Sequence, residues 1–298
     1  MSRPVQSAIT RYQFKEGLPV EFELISLADL YQQNKTVLTS PHRASFYHVL
    51  WYKKGGFDHM VDFQPVRIED NMLLFLSQDI VHAYTDNAAI HGKGILFTDT
   101  FFGSSETDVR MLKETILFND LFGISTVHIP KGATAFDAIF ELMEKEAGNT
   151  PDQYQARILR NLLHNFLLLA ERERRTQDFK EIRKGPDLDY VLLFRDLLET
   201  QYRTHKQVSY YATELSVTEK RLNQATSKIL GKTSKQMIDE RIMLEAKRLL
   251  VHSADTIKEI AYQLGFMEPT NFIKYFRKHS QYTPVEFREK LTTSKTGT

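Results

Sequence analysis

Cysteine is absent from all 298 positions of the chain. That excludes a disulfide framework, a thiolate zinc finger and a cysteine nucleophile. An excess of one charge is also lacking, since 39 Lys and Arg oppose 38 Asp and Glu. The net value of +1 gives no whole-chain argument for nucleic acid or an acidic partner. No apolar run is long enough to span a bilayer. The most apolar stretch, Leu162 to Ala170, is broken by His164 and Asn165. Met1 to Thr10 has no apolar segment of the kind that directs secretion, so a soluble cytoplasmic protein is expected. No phosphate-cradling glycine loop, His-Glu-x-x-His pattern or Ser-His-Asp set stands out.

What is present is a globular composition, 42% apolar and 26% charged, with length enough for two domains. The charge is unevenly placed. Asp187 to Thr298 holds 18 Lys and Arg against 14 Asp and Glu, while the preceding residues hold 21 against 24. The C-terminal part is thus the basic one. Up to about Pro130 the chain reads as strands: Ser45 to Tyr52, Phe57 to Gln64 after a Gly55-Gly56 hairpin turn, Asn71 to Ser77, Ile80 to Tyr84 and Gly94 to Phe102. Such spacing suggests a small sandwich or barrel. The period then becomes helical. Ala133 to Ala147 aligns Phe136, Ile139, Phe140 and Met143. Gln153 to Arg174 aligns Tyr154, Ile158, Leu162, Phe166 and Leu169. The expected domains are 1–178 and 188–298, joined by a polar linker at 179–187 that contains Gly185-Pro186.

From Leu188 onward short helices are expected throughout. Thr256 and Glu259 form a capping box over a helix whose apolar face is Ile257, Ile260, Ala261 and Leu264. Gly265 supplies a left-handed stop. Pro269 opens the next helix, buried through Phe272 and Phe276. Helix, sharp turn and second helix make a helix-turn-helix unit at about 257–279. An equivalent unit at about 208–230 has Tyr211, Ala212 and Leu215 inward, a Ser216-Val217 turn, a Thr218 cap and a Gly231 stop. Its second helix buries Leu222, Ala225 and Ile229 and projects Lys220, Asn223, Gln224 and Ser227. Asn and Gln can bond adenine at two points, and Lys can bond guanine or phosphate. Ser234 to His252 is one amphipathic helix between the units, about 28 Å long at 1.5 Å per residue. It would hold two recognition helices about one DNA turn apart.

Three segments carry a resemblance: Ile257 to Lys278 (IKEIAYQLGFMEPTNFIKYFRK), Thr283 to Arg288 (TPVEFR) and Arg241 to Leu250 (RIMLEAKRLL). They resemble the AraC/XylS transcription regulators over about Leu188 to Arg288. The resemblance implies double-stranded DNA as partner, read by Lys220, Asn223, Gln224 and Ser227 and by Glu268, Thr270, Asn271 and Lys274. Arg277 and Lys278 would hold phosphates or remain solvated. It further implies an activator that holds RNA polymerase at a promoter. Gln281 stands where the family has Gly, so strain is expected there. Thr226 replaces an aromatic core residue and Gln224 a common Arg.

Pro41 to Trp51 (PHRASFYHVLW) and Ile68 to Tyr84 resemble the family's cupin-like sensing barrel. The expected fold class is therefore α+β: a cupin-like β-barrel with two trailing helices, then an all-α tandem helix-turn-helix domain. Residues His42, Arg43, Tyr47, Trp51 and His82 are the candidate lining of a small-molecule effector site. Arg43 would favour an anionic or hydroxylated ligand. Metal-binding cupins use a His-x-His pair, but His42 is followed by Arg43 and Ala44. His42, His48 and His82 then read as core or pocket histidines, and no metal or other cofactor is expected. This weighs against the rival reading, a metal-dependent cupin enzyme with a helical appendage. A second alternative is a regulator without an effector, controlled by a protein partner. The helix at Gln153 to Arg174 is the expected homodimer interface.

Overall fold

A computed structural model describes residues 9–86, 90–121, 123–177 and 185–293. The chain divides into two compact units, one over residues 10–181 and one from 182 onward. Of the expected linker, 179–184 lie outside the described residues, and Pro186 and Asp187 already belong to a helix.

Among the described residues the N-terminal unit contains ten strands. They are β1 Thr10–Tyr12, β2 Phe22–Ser26, β3 His42–Ala44, β4 Tyr47–Lys54, β5 Phe57–Val61, β6 Gln64–Ile68, β7 Met72–Leu76, β8 His82–Ala83, β9 His91–Phe97 and β10 Thr126–His128. Its helices are α1 Leu27–Leu38, α2 Asp99–Phe102, α3 Glu106–Glu114, α4 Thr134–Ala147 and α5 Gln155–Thr176. The strands form two five-stranded sheets, ordered β1-β3-β8-β5-β6 and β10-β7-β4-β9-β2. The β-rich unit is as expected, but the described strands are two packed sheets and not one closed barrel. Gly55-Gly56 is a corner between sheets and not a hairpin turn, because β4 pairs with β7 and β9 while β5 pairs with β6 and β8. A Cβ on Gly55 would meet the Glu69 backbone at 2.3 Å, so only glycine allows this close approach. Gly94 to Phe102 is also not one strand: β9 ends at Phe97 and Thr98 caps α2 through the Phe101 N–H.

Alternation along β4 sets the layers. Val49 and Trp51 join Leu73, Phe75 and Phe97 in a core covered by α4 and α5, through Phe136, Phe140, Leu163 and Phe166. Leu50 and Tyr52 face the other way and pack with Leu74, Val61 and Ile68 between the sheets. Each such buried side chain contributes about 1.5–3 kcal/mol. Helix α5 buries Leu159, Leu163, Phe166, Leu167 and Ala170. The expected stripe was misplaced by about one residue, since Tyr154 and Ile158 are exposed.

The C-terminal unit is all helical: α6 Pro186–Gln201, α7 Val208–Glu214, α8 Glu219–Leu230, α9 Ser234–His252, α10 Ile257–Gln263, α11 Pro269–Ser280 and α12 Pro284–Thr293. The central strut α9 has the expected bounds, and Thr233 and Gln236 close a reciprocal capping box at its start. A single apolar core runs from Phe194 and Tyr211 through Ile242 and Leu250 to Phe272 and Phe276. Glu245, almost fully buried on α9, accepts from Arg203, Arg241 and Arg248 at 3.2–3.3 Å. No helix among the described residues is long and apolar enough to cross a membrane.

Candidate nucleic-acid interface and effector cavity

The turns of the two helical pairs match bond for bond. After α7, Leu215 N–H donates to Tyr211 O at 3.0 Å, Ser216 N–H to Thr213 O at 2.9 Å and Val217 N–H to Ala212 O at 2.9 Å. After α10, Leu264 N–H donates to Ile260 O at 3.0 Å, Gly265 N–H to Tyr262 O at 2.9 Å and Phe266 N–H to Ala261 O at 2.9 Å. Each turn needs one left-handed residue, Ser216 at φ 54° and Gly265 at φ 71°. Ser216 bears the cost of that conformation in a solvated turn. Gly265 has no such latitude, because a Cβ there would lie 1.8 Å from the Arg203 carbonyl oxygen.

The second helix of each pair is fixed by its own ends. Thr218 accepts the Arg221 N–H at the start of α8, and left-handed Gly231 closes it. Pro269 opens α11, and left-handed Gln281 (φ 66°) closes it, so the expected strain at that position is present. Leu222 and Ala225 bury α8, and Phe272 and Phe276 bury α11. That leaves Lys220, Gln224 and Ser227 exposed on α8, and Thr270, Asn271, Lys274, Arg277 and Lys278 exposed on α11, with Glu268 exposed at its entry. Asn223 differs. It is half-buried, and its Oδ1 accepts the Ser234 N–H at 2.9 Å. Its carbonyl therefore joins α8 to the strut, and the two-point adenine contact expected of it is not open. Nearby cations are engaged: Arg221 and Lys228 hold Asp187 at 2.6 Å, and Lys232 holds Glu240 at 2.8 Å. Lys220, Lys274 and Lys278 have no such partner among the described residues, and remain available to phosphate or bases.

The strut reaches both readers. Thr226, buried in place of an aromatic residue, bonds the Ser234 hydroxyl at 3.2 Å. Tyr275 on α11 donates to Asp239 Oδ1 at 2.8 Å, and burial followed by Asp239 raises its pKa. Lys206 Nζ bridges Arg203 O and Gly265 O at 3.0 and 2.9 Å, with its pKa lowered first by burial and then by Lys235. None of these ties was read from the sequence, because each joins residues distant along the chain.

Two helix-turn-helix pairs on one core, each presenting an exposed polar face, define a DNA-binding domain. Residues 211–290 match the family described as "Helix-turn-helix domain". The C-terminal unit contains a helix-turn-helix domain of this family. The chain is similar to the lactose operon transcription activator of Staphylococcus xylosus, 31% identical over 31% of this chain and 33% of that protein. The match thus spans about a third of that relative's length. It is also similar to the HTH-type transcriptional activator RhaS of Escherichia coli, 21% identical over 83% of this chain and 87% of the relative. Among solved structures, a Chromobacterium violaceum transcriptional regulator with an AraC-type DNA-binding domain is 20% identical, with a TM-score of 0.32 over 36% of this chain and 96% of that one.

The N-terminal unit holds a cavity of about 220 Å³ between its sheets and α1. Tyr12, Phe14, Ile25, Leu38, Phe46 and Leu96 give it apolar walls, and His42, His48, His82 and Tyr84 line it too. His42 and His82 are thus brought together as expected, and paired on adjacent strands. Tyr47 and Trp51 are not in it. They lie on the opposite face of β4, Tyr47 stacked on Phe97 and Trp51 edge-on to Phe136, Phe140 and Phe166. Arg43 is not a lining residue either, although its neighbours His42 and Ala44 are. His59, which no local sequence signal marks, joins Tyr52 Oη at 3.0 Å to His82 at 3.0 Å. Burial, then His42, lowers the pKa of both His48 and His59 to about 3. Among the described residues, no group of three or more His, Asp or Glu is placed to hold a metal ion.

Proposed function

We propose that the chain is a cytoplasmic transcription activator that reads DNA through α8 and α11, under control of a small molecule held in the N-terminal cavity. The observation that carries the reading is the pair of matched turns on one core, with Lys220, Gln224, Asn271 and Lys274 left exposed. Relatives that are transcription activators support the same class. On this reading Asn223 positions α8 through Ser234 and reads no base. Selection of bound DNA from a random pool with the full-length chain should enrich two short blocks about 10 bp apart. Asn271→Ala with Lys274→Ala should weaken the selected site by about 30-fold or more, at about 1–3 kcal/mol per lost base contact. Loss of affinity that is equal for all sequences would argue against base reading by α11.

On the same reading the regulator works as a homodimer and brings RNA polymerase to its promoter. Tyr154, Ile158 and Leu168 line an exposed face of α5, with Leu142 exposed on α4. Apolar exposure of this kind supports self-association there. Sedimentation at micromolar concentration should give a dimer, and Leu168→Glu a monomer. A wild-type monomer would remove the dimer from the proposal.

A further inference from the structure

The cavity histidines have an arrangement that selects ligand chemistry. His42 Nδ1 lies 2.8 Å from the Ser40 carbonyl oxygen. A carbonyl only accepts, so Nδ1 carries the proton and His42 Nε2 presents a lone pair. His82 Nδ1 is held by His59 Nε2, and its own Nε2 is buried without a partner, as is His48 Nδ1. A buried polar atom left unsatisfied needs a reason. When the Tyr52 hydroxyl donates to His59 Nδ1, His59 Nε2 donates to His82 and leaves His82 Nε2–H as a donor. The rings of His42 and His82 are 4.3 Å apart, and that of His48 is 5.2 Å from His82. In that tautomer an acceptor and a donor stand side by side in an apolar wall.

We propose that this cavity takes an uncharged, largely apolar molecule bearing a hydroxyl group, held between His42 and His82. The hydroxyl donates to His42 Nε2 and accepts from His82 Nε2–H, which no simple acceptor does. A carboxylate would face the His42 lone pair with nothing to give it. Nor does the wall offer a spare cation: Lys15 is 3.5 Å from Glu23, which also lines the cavity. Arg43, the basis for expecting an anion, lies outside the lining. Burial lowers the pKa of His42 and His82 alike, which keeps both rings neutral at pH 7. The proposal rests on the reading of this cavity as the effector site, and adds the class of molecule.

Calorimetric titration of the full-length chain with 4-propylphenol, its methyl ether 4-propylanisole, and 4-propylbenzoate tests it. The phenol should bind at least tenfold more tightly than either of the others. In His42→Phe the phenol's advantage over the ether should vanish, and the wild-type comparison stands even if that variant does not fold. Equal binding of phenol and ether, tighter binding of the benzoate, no binding of any probe, or retention of one zinc per chain would each overturn the proposal. DNA affinity separates the two layers. If Ala44→Phe, which fills the cavity, changes DNA affinity while the phenol has no advantage, the regulatory reading stands and the ligand class falls. A phenol advantage with DNA affinity unchanged by phenol and by Ala44→Phe does the opposite.

Discussion

Glu245→Ala should lower the stability of the C-terminal unit by about 3–5 kcal/mol, the range for removing one partner of a buried charge network. The carboxylate is 1% exposed and Arg248 is 4% exposed. With the carboxylate gone, Arg203, in the turn after α6, and Arg241 and Arg248, on α9, face one another with one fewer anion. Glu199 still holds Arg241 at 2.8 Å, and Tyr202 lies under the same guanidinium at 3.9 Å. Burial opposes the charge of Arg241, but Glu199, Tyr202 and Glu245 together raise its pKa. The control is Glu240→Ala, which removes an exposed pair with Lys232 and should cost under about 1 kcal/mol. Urea unfolding followed by helical circular dichroism measures both. Equal effects for the two variants would mean that the Glu245 knot is ornamental to stability.

Acid should unfold the N-terminal unit selectively. A histidine with a lowered pKa in the folded state binds more protons when unfolded, over the interval between the two values. Its contribution is complete above the ordinary value of 6.5 and is lost as pH falls toward the folded value of about 3. At pH 5 each such group has lost about 2 kcal/mol, at 1.36 kcal/mol per pH unit. His48 and His59 together thus remove about 4 kcal/mol between pH 7 and pH 5, with His42 and His82 acting in the same direction. The chain's single tryptophan, Trp51, is buried in this unit and reports on it alone. Its fluorescence should give a urea midpoint well below the pH 7 value at pH 5, and His48→Gln should shrink the drop by that ring's share of about 2 kcal/mol. Unchanged midpoints across that range would contradict the buried, neutral histidines.

The C-terminal unit was legible because its signals are local. Capping at Thr256 and Thr218, the stops at Gly231 and Gly265 and the length of α9 each lie within a few residues of sequence, and the structure shows all of them. What failed there was non-local: nothing near Asn223 shows that its oxygen is claimed by Ser234. In the N-terminal unit the class of the region was legible, but the faces were not. Tyr47, Val49 and Trp51 alternate with His48, Leu50 and Tyr52, and all but the half-buried Tyr47 are buried. Period two separates two such faces without telling which one borders the cavity. The hairpin between β5 and β6 turns on Asp62 and Phe63 at φ 47° and 67°, with no glycine to announce it. Helix α1 passed unnoticed because its sequence, LADLYQQNKTVL, is largely polar and buries only Leu27, Tyr31 and Leu38.

The common core of the two helix-turn-helix pairs has a consequence for the operator. Strut, charge knot and the Lys206 clasp tie α8 and α11 to one packed core, which opposes an independent change in their separation. One base pair added between the two blocks moves the second by about 3.4 Å and turns it by roughly a tenth of a helical turn. A jointed protein would follow that displacement; a rigid caliper does not. Under the proposed mode of reading, the interval between the blocks is therefore part of the message, and a promoter with both blocks intact but wrongly spaced is seen as two half-sites.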